Sequence, residues 1–310
     1  MKLHITIIIL FLIVINGKSQ DFARIANYVN SLNSEEEIEA LTSQLVKPYQ
    51  TDIDKTASIF YWIAKNIKYD FKGFENDFWK FYESDQKLIE DTYKFKKGVC
   101  SGYARLFSYM LRLCEIESKV VMGYSRTDLE TFNLTETNHD WNVVKIENDW
   151  YLFDVTWAWN RTKNKLSDFY FRTSPEIFIL NHFPIEQKWT LLHSTFTLED
   201  YLNFPLYNPI FHKIGFTKEV SKKGYFEAKD DTVSIDLKPT KDYLVSVKLY
   251  DLEKNEWFSP LNADQTRKEG KIKFHLDRKG DFIMKIGALL LNGNSYKIYN
   301  KLIYYRIRNE

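Results

Sequence analysis

The apolar residues of this chain keep two different periods, and the change from one to the other limits the folds open to it. Up to about residue 210 they recur in several stretches at helical spacing. Ile59, Trp62, Ile63 and Ile67 share one face behind a Thr51 or Asp52 cap, and Cys100, Ala104, Phe107, Leu111 and Cys114 fall at steps of four and three. From about Gly215 the runs TVSIDL, YLVSVKLY, KIKFHL, DFIMKIGALLL and KIYNKLIYYRI alternate with period two, separated by Lys-, Gly-, Asn- and Pro-bearing turns. One layer of one kind cannot satisfy both periods. The pattern predicts an α+β chain in which a helix-rich domain over residues 20–210 precedes an all-β sandwich over 215–310, and 310 residues suit two domains of ~150 each.

Within the first region, Phe22 to Leu45 reads as helix with Ser34 as a cap, and Ser84 to Tyr93 as a short helix leading to Gly98. Lys119 to Tyr124 is a short strand, and Arg126 to Thr137 is polar and loop-like. HDWNVVKIE and WYLFDVTW form a hairpin about an Asn148-Asp149 turn. The aromatic stretch from Arg161 to Thr197 reads as an extension packed on the first domain.

The function classes open to the chain are narrowed by charge. Lys plus Arg (43) against Asp plus Glu (42) leaves +1 with the signs interspersed, so no basic footprint for nucleic acid or an anionic membrane exists. The first 19 residues carry a basic start at Lys2 and an apolar run from Ile5 to Ile15, shorter than the ~20 residues of a spanning helix. They are expected to be a signal peptide, giving a secreted or periplasmic chain with no stable membrane insertion after cleavage.

An exported chain with two cysteines invites a disulfide, but helical geometry argues against one. A helix from Cys100 to Cys114 separates their Cα atoms by ~21 Å, far beyond the ~4.4–6.8 Å of a bridge. Cys100 instead opens a helix, where unpaired backbone N–H groups favour a thiolate and can stabilise an oxyanion. On that feature alone an inert core thiol is the simpler reading. His139 changes the balance, because it opens a strand directly after a polar loop, whereas His182, His193, His212 and His275 lie in aromatic or strand contexts that look structural. Asp154, in an otherwise apolar run on the returning strand, needs a cationic or hydrogen-bonding partner. A two-residue Asn148-Asp149 turn would pair Val143 with Asp154, so bringing His139 to Asp154 requires a slipped or distorted hairpin. An even shift keeps His139, Trp141, Val143 and Asp154 on one face. Cys100, His139 and Asp154 then follow the logic of nucleophile, general base and orienting group.

These residues also carry a family resemblance. GVCSGYARLF, HDWNVV and WYLFDVTWA, with YWIAKNIKYD upstream, resemble the transglutaminase-like superfamily, and YFRTSPEIFILNHFPIEQKWTLL is similar to the segment after the core in members of the kyphoscoliosis peptidase type. The resemblance covers roughly Ile53 to Leu192. It implies a papain-like core with Cys100 as nucleophile, His139 as general base and acid and Asp154 as its orienter, and no metal or organic cofactor. The following sandwich is expected to be immunoglobulin-like. Ser101 and Gly102 stand where calcium-dependent animal transglutaminases carry a tryptophan after the cysteine. Trp62, Tyr69 and Trp79 are candidates for an upstream oxyanion-hole side chain.

The resulting expectation is an exported cysteine-dependent amide hydrolase or acyl transferase acting on a peptide or protein substrate, with water or an amine as acceptor. The alternative is a binding or scaffolding protein that keeps the fold without turnover.

Overall fold

A computed structural model of the chain describes residues 21–33, 36–126, 134–208, 210–214, 223–237, 243–265, 271–292 and 295–310. The expected signal peptide, the Ser34 cap, most of the polar loop before Thr137 and the boundary stretch 215–222 lie outside these residues. Among the described residues no helix is long and apolar enough to cross a membrane.

The first helical stretch is two helices, α1 (Phe22–Val29) and α2 (Ile38–Val46). Helix α3 (Asp52–Asn66) starts where the sequence places it, with Thr51 accepting from the Asp54 N–H, and buries Ile59, Trp62 and Ile63. Strand β1 (Lys68–Tyr69), α4 (Phe71–Glu75) and a 3-10 turn (Phe78–Phe81) lead to α5 (Asp85–Phe95), which Ser84 caps. Strand β2 (Lys97–Gly98) runs parallel to β1 and feeds α6 (Cys100–Arg112). Lys68 donates to the Lys96 carbonyl at 2.8 Å and Asp70 to the Gly98 carbonyl at 2.9 Å, which fixes the chain just before Cys100. The thiols of Cys100 and Cys114 are both free, as the helical spacing requires.

The first sheet is built from β3 (Ser118–Ser125), β4 (His139–Ile146) and β5 (Asp149–Phe153). After a small hairpin of β6 (Trp159–Asn160) and β7 (Lys165–Leu166) come β8 (Phe171–Thr173), helix α7 (Pro175–Phe178) and β9 (His182–Pro184). Strand order is β8-β5-β4-β3-β9. The stretch after Arg161 is therefore no appended extension, because it supplies both edge strands of the sheet.

Helix α6 lies on this sheet, where the Asn142 side chain donates to the Ala104 carbonyl at 2.9 Å. Phe60, Phe107, Phe153 and Phe171 meet edge-on or tilted between the helices and the sheet, at centroid separations of 4.9–6.2 Å.

The β4–β5 hairpin corrects the expected register. Ile146 pairs with Asp149 and Val143 with Leu152, so the turn is Glu147-Asn148, one residue earlier than the Asn148-Asp149 pair suggests, with Glu147 in the left-handed region at φ 58°. The slip is even, so the face is preserved and no bulge is needed.

Arg126, at the start of the polar loop as the sequence has it, has a role the sequence does not show. It is fully buried, and its guanidinium donates to the carbonyls of Tyr201, Leu202 and Phe204 at 2.7–3.0 Å, capping the C-terminal end of α8 (Leu198–Asn203).

Beyond α8, β10 (Leu206–Tyr207) and α9 (Ile210–Lys213) precede the strand-rich region. Its strands are β11 (Tyr225–Glu227), β12 (Thr232–Asp236), β13 (Tyr243–Asp251), β14 (Glu256–Phe258), β15 (Leu261–Gln265), β16 (Lys271–His275), β17 (Gly280–Asn292) and β18 (Ser295–Asn309). All five alternating runs of the sequence are strands. One sheet has the order β10-β18-β17-β13-β14, with β11 added in parallel to β18, and the other is β12-β16-β15. Val233, Ile235, Ile272 and Phe274 from the second share one apolar core with Val245, Leu249, Met284 and Ile286 from the first. This is the packing that strands with one apolar face demand.

Candidate active site

Cys100 is the first residue of α6, and the Val99 cap position contributes no side-chain hydrogen bond to the helix end. The N-terminal amides of α6 therefore keep capacity for a ligand atom brought to Cys100.

His139 opens β4 and is 5% exposed, its ring stacked on Trp157 with centroids 4.5 Å apart. Nε2 lies 2.8 Å from Asp154 Oδ2, which leaves Nδ1 as the nitrogen open to Cys100, the residue that lines the same cleft. Asp154 follows the end of β5 and is fully buried. Its Oδ1 accepts from the backbone N–H groups of Thr156 at 2.9 Å and Trp157 at 3.1 Å. The three residues named from the sequence thus meet, with His139 reaching diagonally across the hairpin to a carboxylate locked on both oxygens.

One member was missed. His182, on β9 and fully buried, places Nε2 3.0 Å from the same Asp154 Oδ2 and Nδ1 2.7 Å from Asn181 Oδ1, with its ring stacked 4.0 Å from Phe178. Nothing polar beside it in Asn181-His182-Phe183-Pro184 points to Asp154. The contact exists only because β9 folds back onto β3. The ligand atoms of His139, Asp154 and His182 lie within 4.8 Å of one another. The Nε2 atoms of both rings lie within hydrogen-bonding distance of Asp154 Oδ2.

Electrostatics separate the two rings. Burial opposes charge on His139, but the Asp154 carboxylate and then Cys100 outweigh it and push its pKa up to about 10. Burial would raise Asp154, yet His139 and His182 hold it well below the usual carboxylate range. His182 is pushed down to about 4, by burial first, with the His139 charge adding to it.

Each shift carries a pH dependence of stability. His139 contributes fully below its unfolded value near 6.5 and loses that contribution as pH rises through about 10. His182, depressed, costs stability as pH falls from about 6.5 to about 4. Asp154 contributes above ~4 and loses that contribution as pH falls further. Urea midpoints measured from pH 3 to pH 10 are expected to peak near pH 6–7 and fall on both sides. The alkaline decline should flatten in His139→Gln, and an unchanged alkaline limb would count against the His139–Asp154 pair.

A cleft of about 660 Å³ opens over Cys100 and His139, flanked by Phe74, Tyr82 and Met122. Arg105 borders it and bonds Asp85 at 2.6 Å and Asp140 at 2.9 Å, tying α6 to both α5 and β4. Of the oxyanion candidates, Trp62 is stacked on Tyr93 at 5.7 Å in the core. Tyr69 pairs with Gly98, and its hydroxyl, raised by burial, is coupled to Cys100. The Trp79 side chain lies outside the described residues.

Comparison with known families agrees with this arrangement, since residues 39–155 match the model of the transglutaminase-like superfamily. This stretch is a transglutaminase-like domain. It contains Cys100, His139 and Asp154, while His182 lies beyond its end. Human kyphoscoliosis peptidase is 29% identical over 229 residues, covering 70% of this chain and 32% of that protein. The mouse protein of the same name is 30% identical over 208 residues, covering 63% and 29%. The chain thus spans about a third of the length of these relatives. A crystal structure described as a TGase aligns with 16% identity and a TM-score of 0.29, covering 53% of this chain and 39% of that one.

Proposed function

We propose that the protein is an exported cysteine-dependent amide hydrolase or acyl transferase acting on peptide or protein substrates. The observation that carries this reading is the His139–Asp154 hydrogen bond beside Cys100, with Cys100 and His139 lining one cleft. Likeness to proteins named as peptidases supports the choice of an amide as the scissile bond. Export rests on the basic and apolar character of the first 19 residues, and an immunoglobulin-like C-terminal module rests on two facing, mainly antiparallel sheets.

In the proposed reaction the thiol proton of Cys100 already resides on His139 Nδ1 as Sγ attacks the amide carbonyl, and the developing oxyanion turns to the α6 amides. His139 then returns the proton to the leaving amine, and a thioester on Cys100 remains. Water or a second amine, deprotonated by His139, releases the acyl group as acid or as a new amide. Asp154 holds the ring so that Nδ1 faces the thiol.

Incubation with peptide and protein mixtures, with and without an added primary amine, should give products by mass spectrometry that are lost in Cys100→Ala. New amide in the amine-containing reaction would identify a transferase, and acid alone a hydrolase. A product pattern unchanged by Cys100→Ala would dispose of the mechanism. No product from either protein, with slow Cys100 labelling by a neutral thiol reagent at pH 6, would favour the non-catalytic scaffold.

A further inference from the structure

Asp154 has four hydrogen-bond donors for one negative charge. Oδ1 is held by the Thr156 and Trp157 amides, and Oδ2 faces two imidazoles, His139 at 2.8 Å and His182 at 3.0 Å. We propose that His182 is a positioning residue of the site, whose Nε2–H donates to Asp154 and so limits how tightly Asp154 holds the proton on His139. The proposal rests on reading Cys100, His139 and Asp154 as a catalytic row.

The geometry requires the donor. A ring nitrogen 3.0 Å from an ionised carboxylate oxygen must present a proton there, because two lone pairs at that distance repel. His182 therefore carries hydrogen on Nε2, and the Asn181 amide, which can present either end, serves Nδ1. The ring has no freedom to turn away. It is fully buried between Phe178, stacked at 4.0 Å, and Trp157, at 4.6 Å.

The consequence falls on His139. A carboxylate that accepts a second strong hydrogen bond concentrates less charge on the first partner and stabilises its imidazolium less. A general acid must release its proton to the leaving group, and one held far above the working pH does so poorly. His182 moderates the pair without adding charge of its own.

Among the described residues the other titratable groups beside the two rings do not take that part. Cys100, at the start of α6, lines the same cleft as His139, and Tyr69 from β1 is kept neutral by burial. Tyr170, before β8, is likewise kept neutral by burial. On the cleft side the Asp140 carboxylate is paired with Arg105.

The test is a histidine side-chain ¹⁵N NMR titration of the full chain, which needs no substrate and so still reports if no turnover is found. In wild type at pH 7 the His182 shifts should report a protonated Nε2. A ring protonated only at Nδ1 overturns the proposal whatever the variants do. In His182→Phe, which keeps an aromatic ring beside Phe178 and removes the donor, the His139 midpoint should rise by about half a unit or more, and His182→Gln should bring it back. The upper limb of the pH profile of Cys100 alkylation by iodoacetamide should move in the same sense. A His139 midpoint that is unchanged or lower in folded His182→Phe would overturn the assignment. If that variant does not fold, the wild-type tautomer decides the question.

Discussion

Asp154→Asn is expected to leave the chain folded while lowering Cys100-dependent turnover by roughly three to four orders of magnitude. The amide has the size of the carboxylate, and its oxygen can still accept from the Thr156 and Trp157 amides. It cannot then accept from His139 as well, because an NH₂ group would face the Nε2 protons of both rings. His139 escapes the clash by moving its proton to Nδ1, the nitrogen that must take the thiol proton. The tautomer needed for attack is lost, along with the charge that stabilises the imidazolium. The measurement is kcat and KM on any substrate found by the mass-spectrometric screen, with a thermal melt to confirm folding. The loss should fall on kcat. A drop of less than tenfold would mean that Asp154 does not orient His139 during the reaction.

Gly123→Ala should cost about 3 kcal/mol and disturb the site from a distance. Gly123 sits on β3 between two strands that matter, paired with His139 of β4 on one side and Pro184 of β9 on the other. A Cβ there would stand 2.2 Å from the Phe183 carbonyl oxygen, 2.5 Å from Trp141 Cη2 and 2.9 Å from Pro184 Cα. Two of these are backbone atoms and the third belongs to an indole that is 1% exposed, so no flexible side chain can yield. Relief requires β9 to move off β3, and β9 carries His182. Urea denaturation should read the loss of stability as a lower midpoint at unchanged slope. His182 should then show faster exchange of its Nε2 proton. A cost below ~1 kcal/mol would mean that β9 yields easily.

The candidate row of Cys100, His139 and Asp154 was legible because each member stands where a local signal is strong. Cys100 begins an unbroken helical stripe, His139 begins a strand after a polar loop, and Asp154 is a charge stranded among apolar neighbours. An even register slip cannot undo a face assignment, so the row survived the misplaced turn. Asn148-Asp149 has the composition of a turn, but Glu147 takes the left-handed position and Asp149 joins the strand. What stayed hidden depends on contacts far apart in the chain. His182 reaches Asp154 across 28 residues, and Arg126 reaches α8 across more than seventy. A polar residue whose partners are distant backbone carbonyls looks, in sequence, like any other residue of a loop. The stretch after Arg161 misled for the same reason, since strands of three residues are too short to show a period.

The pairing of β10 with β18 sets a timetable for synthesis. Leu206 and Tyr207 find their partners in Tyr304 and Ile303, almost a hundred residues later. At a translation rate of 5–20 residues per second, β10 therefore waits roughly 5–20 s for the strand that covers it. During that interval the first sheet already has all its strands, through β9, while the chain just behind it offers an open edge to whatever is nearby.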